Sequence, residues 1–288
     1  MERRSRSYVQ LIKPGITLSN TLTGIAGFFL AASVTAFSFT ALIGVIVGIA
    51  CIIASGCVFN NILDRDIDKR MKRTKKRDVA SGVISVRKAL LFAVVLGIVG
   101  FGAIGLLTNI LTLLLGAIAF VWYVVIYGYA KRTTVYSTLI GGVAGSLPPV
   151  AGYTALTGRI DAAAVILFLI LFFWQMPHFY AIAMFRRSDY ADAKLPIWSV
   201  TYGMKSSKRQ ILAFTIIYAL SVGVLYVYDY VGIIYLVLST VLSTYWLHQG
   251  VSSYSKLDDE KWARKMFGVS LLVLLSMCLL IAVGGFLP

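Results

Sequence analysis

The stretch NNILDRDID, residues 60–68, places three carboxylates at the end of an otherwise apolar helix, and nine lysines and arginines follow between Lys69 and Lys88. Ionised groups at a membrane boundary are costly to hold and usually mark a functional site. Because Asp64 and Asp68 are four residues apart, a helix brings them to one face, about one turn apart. Two carboxylates on one face suit Mg²⁺, whose octahedral shell is completed by water and phosphate. The stretch therefore predicts a membrane enzyme that handles a diphosphate.

The rest of the chain is apolar enough to lie mostly within a membrane. Of its 288 residues, 59% are hydrophobic and 14% are charged, and the mean hydropathy is +0.83, which is typical of membrane proteins and not of soluble domains. Apolar runs long enough to span a bilayer cover residues 16–36, 41–62, 88–107, 110–129, 136–156, 162–185, 210–228, 231–248 and 267–287. The sequence predicts an all-α integral membrane protein with nine transmembrane helices in a single domain, residues 1–288.

The basic residues lie almost entirely on one side of these predicted spans. The N-terminal segment holds four lysines and arginines, loop 63–88 ten, the pair 131–132 two, loop 186–209 six and loop 249–265 four, which makes 26 of the 27. Only Arg159 lies in the opposite set of loops. Because loops rich in lysine and arginine stay on the cytoplasmic side, we expect a cytoplasmic N-terminus and an outside C-terminus. The expected location is a bacterial cytoplasmic membrane, with the acidic stretch at the cytoplasmic face.

The net charge of +15 has the same origin. A strongly basic balance is typical of nucleic-acid-binding proteins, but here the charge is confined to one membrane face. The positive-inside bias and attraction to the anionic lipids of the bilayer account for most of it. We therefore predict no nucleic-acid partner, and part of the charge is available to an anionic substrate.

Further polar groups accompany the acidic stretch. Asn60 and Asn61 precede Asp64 by about one helical turn, where a buried amide needs a hydrogen-bond partner. The alternative reading is a solvated helix end whose acids balance the bases that follow. Arg73 and Arg77 share one face if their loop is helical, and they are the preferred candidates to clamp a diphosphate bidentately. Otherwise they are ordinary charges of the cytoplasmic face.

A second candidate site lies in the sixth apolar run. His178 is one of two histidines and ends the segment WQMPH, residues 174–178. Pro177 is expected to interrupt the helix and to leave a carbonyl unpaired, which favours a cavity nearby. The imidazole either bonds a neighbour in the core or contacts a substrate, and the residues alone leave both readings open.

Several of these motifs together resemble one known family. Residues 60–68, followed by Met71, Arg73, Thr74 and Arg77, resemble the first aspartate-rich motif of the UbiA superfamily of membrane prenyltransferases. Lys13-Pro14, Lys131-Arg132, the segment 141–149 and the segment 174–178 are similar to its protohaem IX farnesyltransferase branch, so that the resemblance covers residues 8 to 268. Two departures are visible. Asn61 stands where the superfamily usually has aspartate, and the second motif keeps Asp189 but has Phe185 four residues earlier, with Asp192 as an additional acid.

The resemblance implies a UbiA-type helical bundle that transfers the farnesyl group of farnesyl diphosphate to the vinyl group of haem B (protohaem IX). Water addition then gives haem O and diphosphate. It implies Mg²⁺ as cofactor, held by Asp64, Asp68 and Asp189, with Asn61 assisting catalysis. The implied diphosphate-binding residues are Asn60, Arg73, Arg77, Lys131 and Arg132, and the implied haem-binding residues are His178, Trp174 and Gln175. A haem A synthase or a terminal oxidase is the expected assembly partner.

Two other classes of protein share some of these features. A UbiA-type prenyltransferase that acts on a quinone precursor or another aromatic acceptor would have the same metal motif, but it would not need the segment 174–178. A secondary transporter would explain the helices and the Pro148-Pro149 break, but not the clustering of acids and arginines on one face.

Overall fold

In the computed structural model, which describes residues 8–288, every predicted apolar run coincides with a helix. The long helices are α1 (Pro14–Ala32), α2 (Phe39–Leu63), α3 (Val86–Leu107), α4 (Ile110–Thr133), α5 (Ser137–Thr157), α6 (Ala162–Phe185), α7 (Gly203–Val227), α8 (Ile233–Ser252) and α9 (Asp259–Gly284). Three short helices, Arg65–Asp68, Arg187–Asp192 and Trp198–Thr201, lie in the connections after α2 and α6.

Eight of the long helices are apolar enough to cross a membrane. The exception among residues 8–288 is α8, which has 20 residues but carries serines and threonines along its length and His248 and Gln249 near its end. The all-helical membrane fold predicted from the sequence is confirmed. A ninth span and the direction of the termini remain predictions.

Helix α6 forms the centre of the bundle. It packs against α5, α7 and α9, and its side chains Trp174, Met176 and Tyr180 are buried in the largest hydrophobic cluster. The helix continues through Pro177, so the predicted interruption at this residue is wrong. A proline removes one backbone hydrogen bond, and the tight packing of α6 on its neighbours is sufficient to hold the remaining turns in place.

Helix α5 is broken, as its proline pair predicts. Its first segment ends at Gly145, and the second begins at Leu147 with Pro148 in its first turn, where a missing N–H costs nothing. The second segment lies so close to α1 that a Cβ on Gly152 would overlap the carbonyl of Gly24. Small residues allow membrane helices to approach to backbone contact, and here they fix α1 against the break.

The connections after α2 and α6 pack against each other. Ile67 and Met71 from the first form a buried apolar cluster with Ala193, Leu195 and Ile197 from the second. Burial of apolar side chains stabilises this contact by roughly 25 cal/mol per Å². Two segments more than 100 residues apart therefore form one cap at the same end of the bundle.

The predicted orientation can be tested with single cysteines. Ser81 lies in the cap loop and Ile160 in the α5–α6 connection, and both are exposed. In a background cleared of Cys51, Cys57 and Cys278, Ser81→Cys should react in intact cells only with a membrane-permeant thiol reagent. Ile160→Cys should react with an impermeant one. Labelling of both positions from the same side would contradict the predicted topology.

Candidate active site

The end of α2 holds a buried, charged cluster. Lys131 Nζ from α4 donates to Asn60 Oδ1 and Asp64 Oδ2, both at 2.6 Å, and all three side chains are buried. The lysine lies one turn beyond a π-helical segment, Trp122–Tyr127, a distortion that is frequent at functional sites. The structure thus brings together one predicted carboxylate, one predicted amide and one predicted cation.

Each of the other two predicted carboxylates also has a basic partner. Arg77 Nη1 donates to both carboxylate oxygens of Asp68, at 2.9 and 3.0 Å, and Asp68 is almost fully buried. Asp189 lies in the short helix after α6 with its Oδ2 3.7 Å from Arg73 Nε. The cap therefore places Asp189 beside the loop that follows Asp68, and its role as a metal ligand stays a prediction.

Asp66 faces away from these buried groups. Arg132 donates to both of its carboxylate oxygens, at 2.8 and 2.9 Å, and also to the carbonyl of Leu63 at 2.7 Å. The hydrogen bonds from Arg132 lower the pKa of Asp66 to about 2. Through these contacts the arginine joins the end of α4 to the start of the cap loop.

The sequence analysis did not identify Lys13 as a site residue. It lines a cavity of about 220 Å³ together with Gln10, Leu11, Asn61, Arg77 and Asp78. A left-handed backbone conformation, with φ of 49°, precedes α1 at this lysine, and burial lowers the pKa of its ammonium group. An anion bound in the cavity would stabilise the charged form. The only signal in the sequence was its position next to Pro14.

Three tyrosines near the cluster were also missed. Tyr123 and Tyr127 of the π-helical segment stack with ring centroids 5.7 Å apart, and Lys131 Nζ lies 5.4 Å from the Tyr127 ring centroid. Tyr190 lies next to Asp189 in the cap, and burial raises the pKa of its hydroxyl. Aromatic residues are common in the interior of membrane proteins, so their spacing did not distinguish them from core residues.

Two buried oxygens in the cluster accept no hydrogen bond from the described part of the chain. These are Asp64 Oδ1 and Asn61 Oδ1; the Asn61 amide nitrogen donates to the carbonyl of Leu11 at 3.0 Å. Buried acceptors without donors are rare, and hard oxygen ligands of this kind fit Mg²⁺.

The three predicted metal ligands are not gathered around one point. Within residues 8–288, no three acidic, histidine or cysteine side chains form a group that could hold a metal ion. The physical reason is that Asp64, Asp68 and Asp189 are each turned towards a basic side chain. One or two carboxylates are enough for Mg²⁺ when phosphate oxygens complete its shell, so the residues fit a site that the diphosphate completes.

The segment 174–178 is bound mainly to neighbouring helices. Trp174 Nε1 donates to the carbonyl of Ser270 at 3.0 Å, and Gln175 Nε2 donates to Gly142 O and Ser146 Oγ at 2.9 and 2.7 Å. The polar atoms of Gln175 thus hold α6 against the break in α5. A role for Trp174 and Gln175 in haem binding stays a prediction.

The two ring nitrogens of His178 differ in their contacts. Nδ1 is hydrogen-bonded, and no hydrogen bond to Nε2 is seen within the described residues. Its Nδ1 lies 2.7 Å from Ser270 Oγ, and this hydroxyl donates to the carbonyl of Phe267 at 2.6 Å. Because the hydroxyl has a single proton, Nδ1–H must be the donor to Ser270, and Nε2 keeps its lone pair. This tautomer is the one that can ligate a metal through Nε2.

Comparisons with known proteins agree with these features. A model of the UbiA prenyltransferase family matches residues 20–281. The chain belongs to this family. It is 41% identical over 285 residues to the Protoheme IX farnesyltransferase of Pectobacterium carotovorum, with 98% of this chain and 96% of the relative covered. The Protoheme IX farnesyltransferase of Escherichia coli O1:K1 is 42% identical over 284 residues, with the same coverage. The resemblance inferred from the motifs is confirmed.

Solved structures of UbiA-family proteins share the fold. A structure of digeranylgeranylglyceryl phosphate synthase superposes with a TM-score of 0.78 at 21% identity and covers 99% of both chains. A UbiA homologue from Archaeoglobus fulgidus bound to GPP and Mg²⁺ gives a TM-score of 0.67 at 17% identity, with 96% of this chain and 99% of that chain covered. At these identities the similarity establishes the fold alone.

Proposed function

We propose that this protein transfers the farnesyl group of farnesyl diphosphate to a vinyl group of protohaem IX, giving haem O and diphosphate. The observation that carries the proposal is the 41–42% identity to protohaem IX farnesyltransferases over 98% of the chain. The buried pairs of acids and bases at the end of α2 supply the groups that a diphosphate requires. The site lies at the cytoplasmic face of a bacterial inner membrane in this proposal.

The basic side chains of the site bind the diphosphate and stabilise the charge that it gains. Lys131, Arg77 and Lys13 approach the end of α2 from three different segments, and Arg73 lies beside Asp189. When the bond between C1 of the farnesyl group and oxygen breaks, these cations hold the departing diphosphate. Arg132 Nη2 lies 3.6 Å from Asp64 Oδ1 and Asn60 Oδ1 accepts from Lys131, so both residues contribute by positioning Asp64 and Lys131.

Mg²⁺ held by Asp64, Asp68 and Asp189 together with the diphosphate would neutralise charge on the leaving oxygens, and the buried Asn61 oxygen would be available as a further ligand. The farnesyl C1 cation then forms a carbon–carbon bond with the terminal vinyl carbon. Water adds to the resulting cation and loses a proton, which leaves a hydroxyl group. The chain's task until that point is to exclude bulk water from the first cation, and the stacked rings of Tyr123 and Tyr127 present apolar faces for this purpose.

Chromatography of extracted haems tests the proposal directly. A bacterial host that lacks haem O synthesis should accumulate haem O when it expresses this chain and should not do so with an empty vector. Formation of a prenylated quinone precursor in place of haem O would contradict the proposed acceptor. A haem A synthase or terminal oxidase as assembly partner stays a prediction that co-purification from the same host can test.

The second metal-binding segment can be tested through the magnesium dependence of the reaction. Asp189→Ala should raise the Mg²⁺ concentration needed for the half-maximal rate, because Asp189 is buried in the cap and lies beside Arg73 of the loop that follows Asp68. Asp192→Ala is the matched control in the same short helix and is exposed. A larger effect of the Asp192 variant would mean that the second motif has been aligned wrongly.

His178 is proposed to contact the haem through Nε2. His178→Ala should shift or abolish the Soret change on titration with protohaem IX, whereas the affinity for farnesyl diphosphate should change little. Ser270→Ala, which removes the partner of Nδ1, should give a smaller change in the same direction. An unchanged haem titration with impaired diphosphate binding would assign His178 to the other substrate.

A further inference from the structure

Two arginines from different helices flank one phenylalanine at the end of the bundle that carries the cap. The guanidinium carbon of Arg186 lies 5.4 Å from the ring centroid of Phe185, and that of Arg264 lies 4.8 Å from the same centroid. Because both lie close to the same ring centroid, the two guanidinium carbons are within about 10 Å of each other. Two like charges held this close repel each other, and negatively charged ligand groups beside them relieve that repulsion.

The ion pairs of the protein leave both guanidinium groups available. Within residues 8–288, Arg186 makes no ion pair with a carboxylate. Arg264 pairs with Glu260 one turn away, and both side chains of this pair are more than half exposed. Exposed pairs of this kind contribute roughly 0.3–0.5 kcal/mol, so a better anion can displace Glu260.

A row of contacting aromatic rings leads inward from these arginines, through the partly buried Phe185 and Phe267, to the buried His178 and Trp174. The ring of Phe185 lies 5.6 Å from that of Phe267, which lies 4.9 Å from the imidazole of His178. The imidazole in turn stacks on Trp174 at 4.8 Å. Eight residues separate His178 from Arg186, which is about 12 Å along a helix. This aromatic strip, formed by Phe185, Phe267, His178 and Trp174, thus carries the imidazole at its buried end and two cations at its outer edge.

We propose that Arg186 and Arg264 bind the two propionate groups of the porphyrin acceptor while the macrocycle lies against this aromatic strip. The inference rests on the proposed function, because it assigns the acceptor of that reaction. A porphyrin with two propionates is a flat apolar ring with two carboxylates on one edge, and the planar fork of arginine matches a carboxylate bidentately. The diphosphate has a separate set of cations around α2, namely Lys13, Arg77 and Lys131, so the two anionic substrates do not compete for the same side chains.

Comparison of protohaem IX with its dimethyl ester tests this assignment. The purified full-length protein should bind the free acid more tightly than the ester in a Soret titration, because only the acid carries propionate charges. Arg186→Gln and Arg264→Gln should each weaken binding of the free acid about tenfold, and the double variant should bind acid and ester equally. Affinity for the ester should stay unchanged in all variants, which also shows that they are folded. Lys265→Gln, next to Arg264 on α9, is the matched control and should keep the preference for the acid.

Three outcomes would overturn the inference. A double variant that retains the native preference for the free acid would show that other cations bind the propionates. A raised KM for farnesyl diphosphate with unchanged haem affinity would assign the arginine pair to the diphosphate. Loss of ester binding in a folded double variant would mean that the pair shapes the ring pocket and does not bind the propionates. Failure of the proposed function is distinguishable, because the native chain would then form no haem O at all.

Discussion

Asp64→Asn and Asp68→Asn should each lower haem O formation at least about 100-fold, which corresponds to about 2.7 kcal/mol of barrier. Both carboxylates are buried at the end of α2, and both hold a cation that the proposed mechanism assigns to the diphosphate. The amide keeps the size of the side chain and removes its negative charge, so binding of Mg²⁺ should weaken most. Turnover by membranes containing equal amounts of each variant gives the measurement.

Asp66→Asn is the matched control for this experiment. Asp66 lies in the same segment, but its side chain is exposed and faces Arg132. Its substitution should lower haem O formation less than about tenfold, because exposed ion pairs contribute little. Near-normal haem O formation by both the Asp64 and the Asp68 variants would exclude these carboxylates as metal ligands. Equal losses in all three variants would indicate that the segment acts as a structural unit.

Lys131→Gln should lower kcat/KM for farnesyl diphosphate about 100-fold. The lysine is buried and is bonded at 2.6 Å to both Asn60 and Asp64, and each hydrogen bond to a charged group is worth roughly 1.5–3 kcal/mol. Its removal takes away one cation for the diphosphate and leaves the Asp64 carboxylate without its closest partner. Steady-state kinetics with varied farnesyl diphosphate give the measurement.

Lys75→Gln provides the comparison for Lys131. This lysine has the same charge and lies in the loop beyond the acidic stretch, but its side chain is exposed, and its removal should change kcat/KM less than threefold, within the range of surface charges. If the Lys131 variant also stayed within that range, the assignment of Lys131 to diphosphate binding would be wrong.

The sequence predicted the helices and the position of the charged cluster because both depend on local patterns. Apolar runs of spanning length locate the helices directly, and the segment 60–68 locates the buried acids at the end of α2. The pairing of Asp189 with Arg73 could not be predicted from the sequence, because it depends on the apolar cluster that contains Met71 and Leu195. Such a contact between distant segments has no periodic signal.

The positions of Lys13 and Gln175 in the structure also could not be predicted from the sequence. A lysine just before a span is normally a charge of the cytoplasmic face, whereas Lys13 has a left-handed backbone and lines the cavity. Gln175 belongs to a motif that indicates substrate contact, but the break in α5 exposes Gly142 O and Ser146 Oγ to its amide. The effect of such a break on its neighbours follows from the packed structure and not from the motif.

The pairing of the buried acids of the site with nearby bases also matters for biogenesis. An uncompensated carboxylate at the membrane boundary would disfavour insertion of α2. Asp64 and Asp68 are neutralised instead by α4 and by the loop that follows α2. Insertion of the first four helices therefore already satisfies these charges, before the later helices and Asp189 have been synthesised. The N-terminal half can therefore form the ion pairs of Asp64 and Asp68 while the rest of the chain is still being translated.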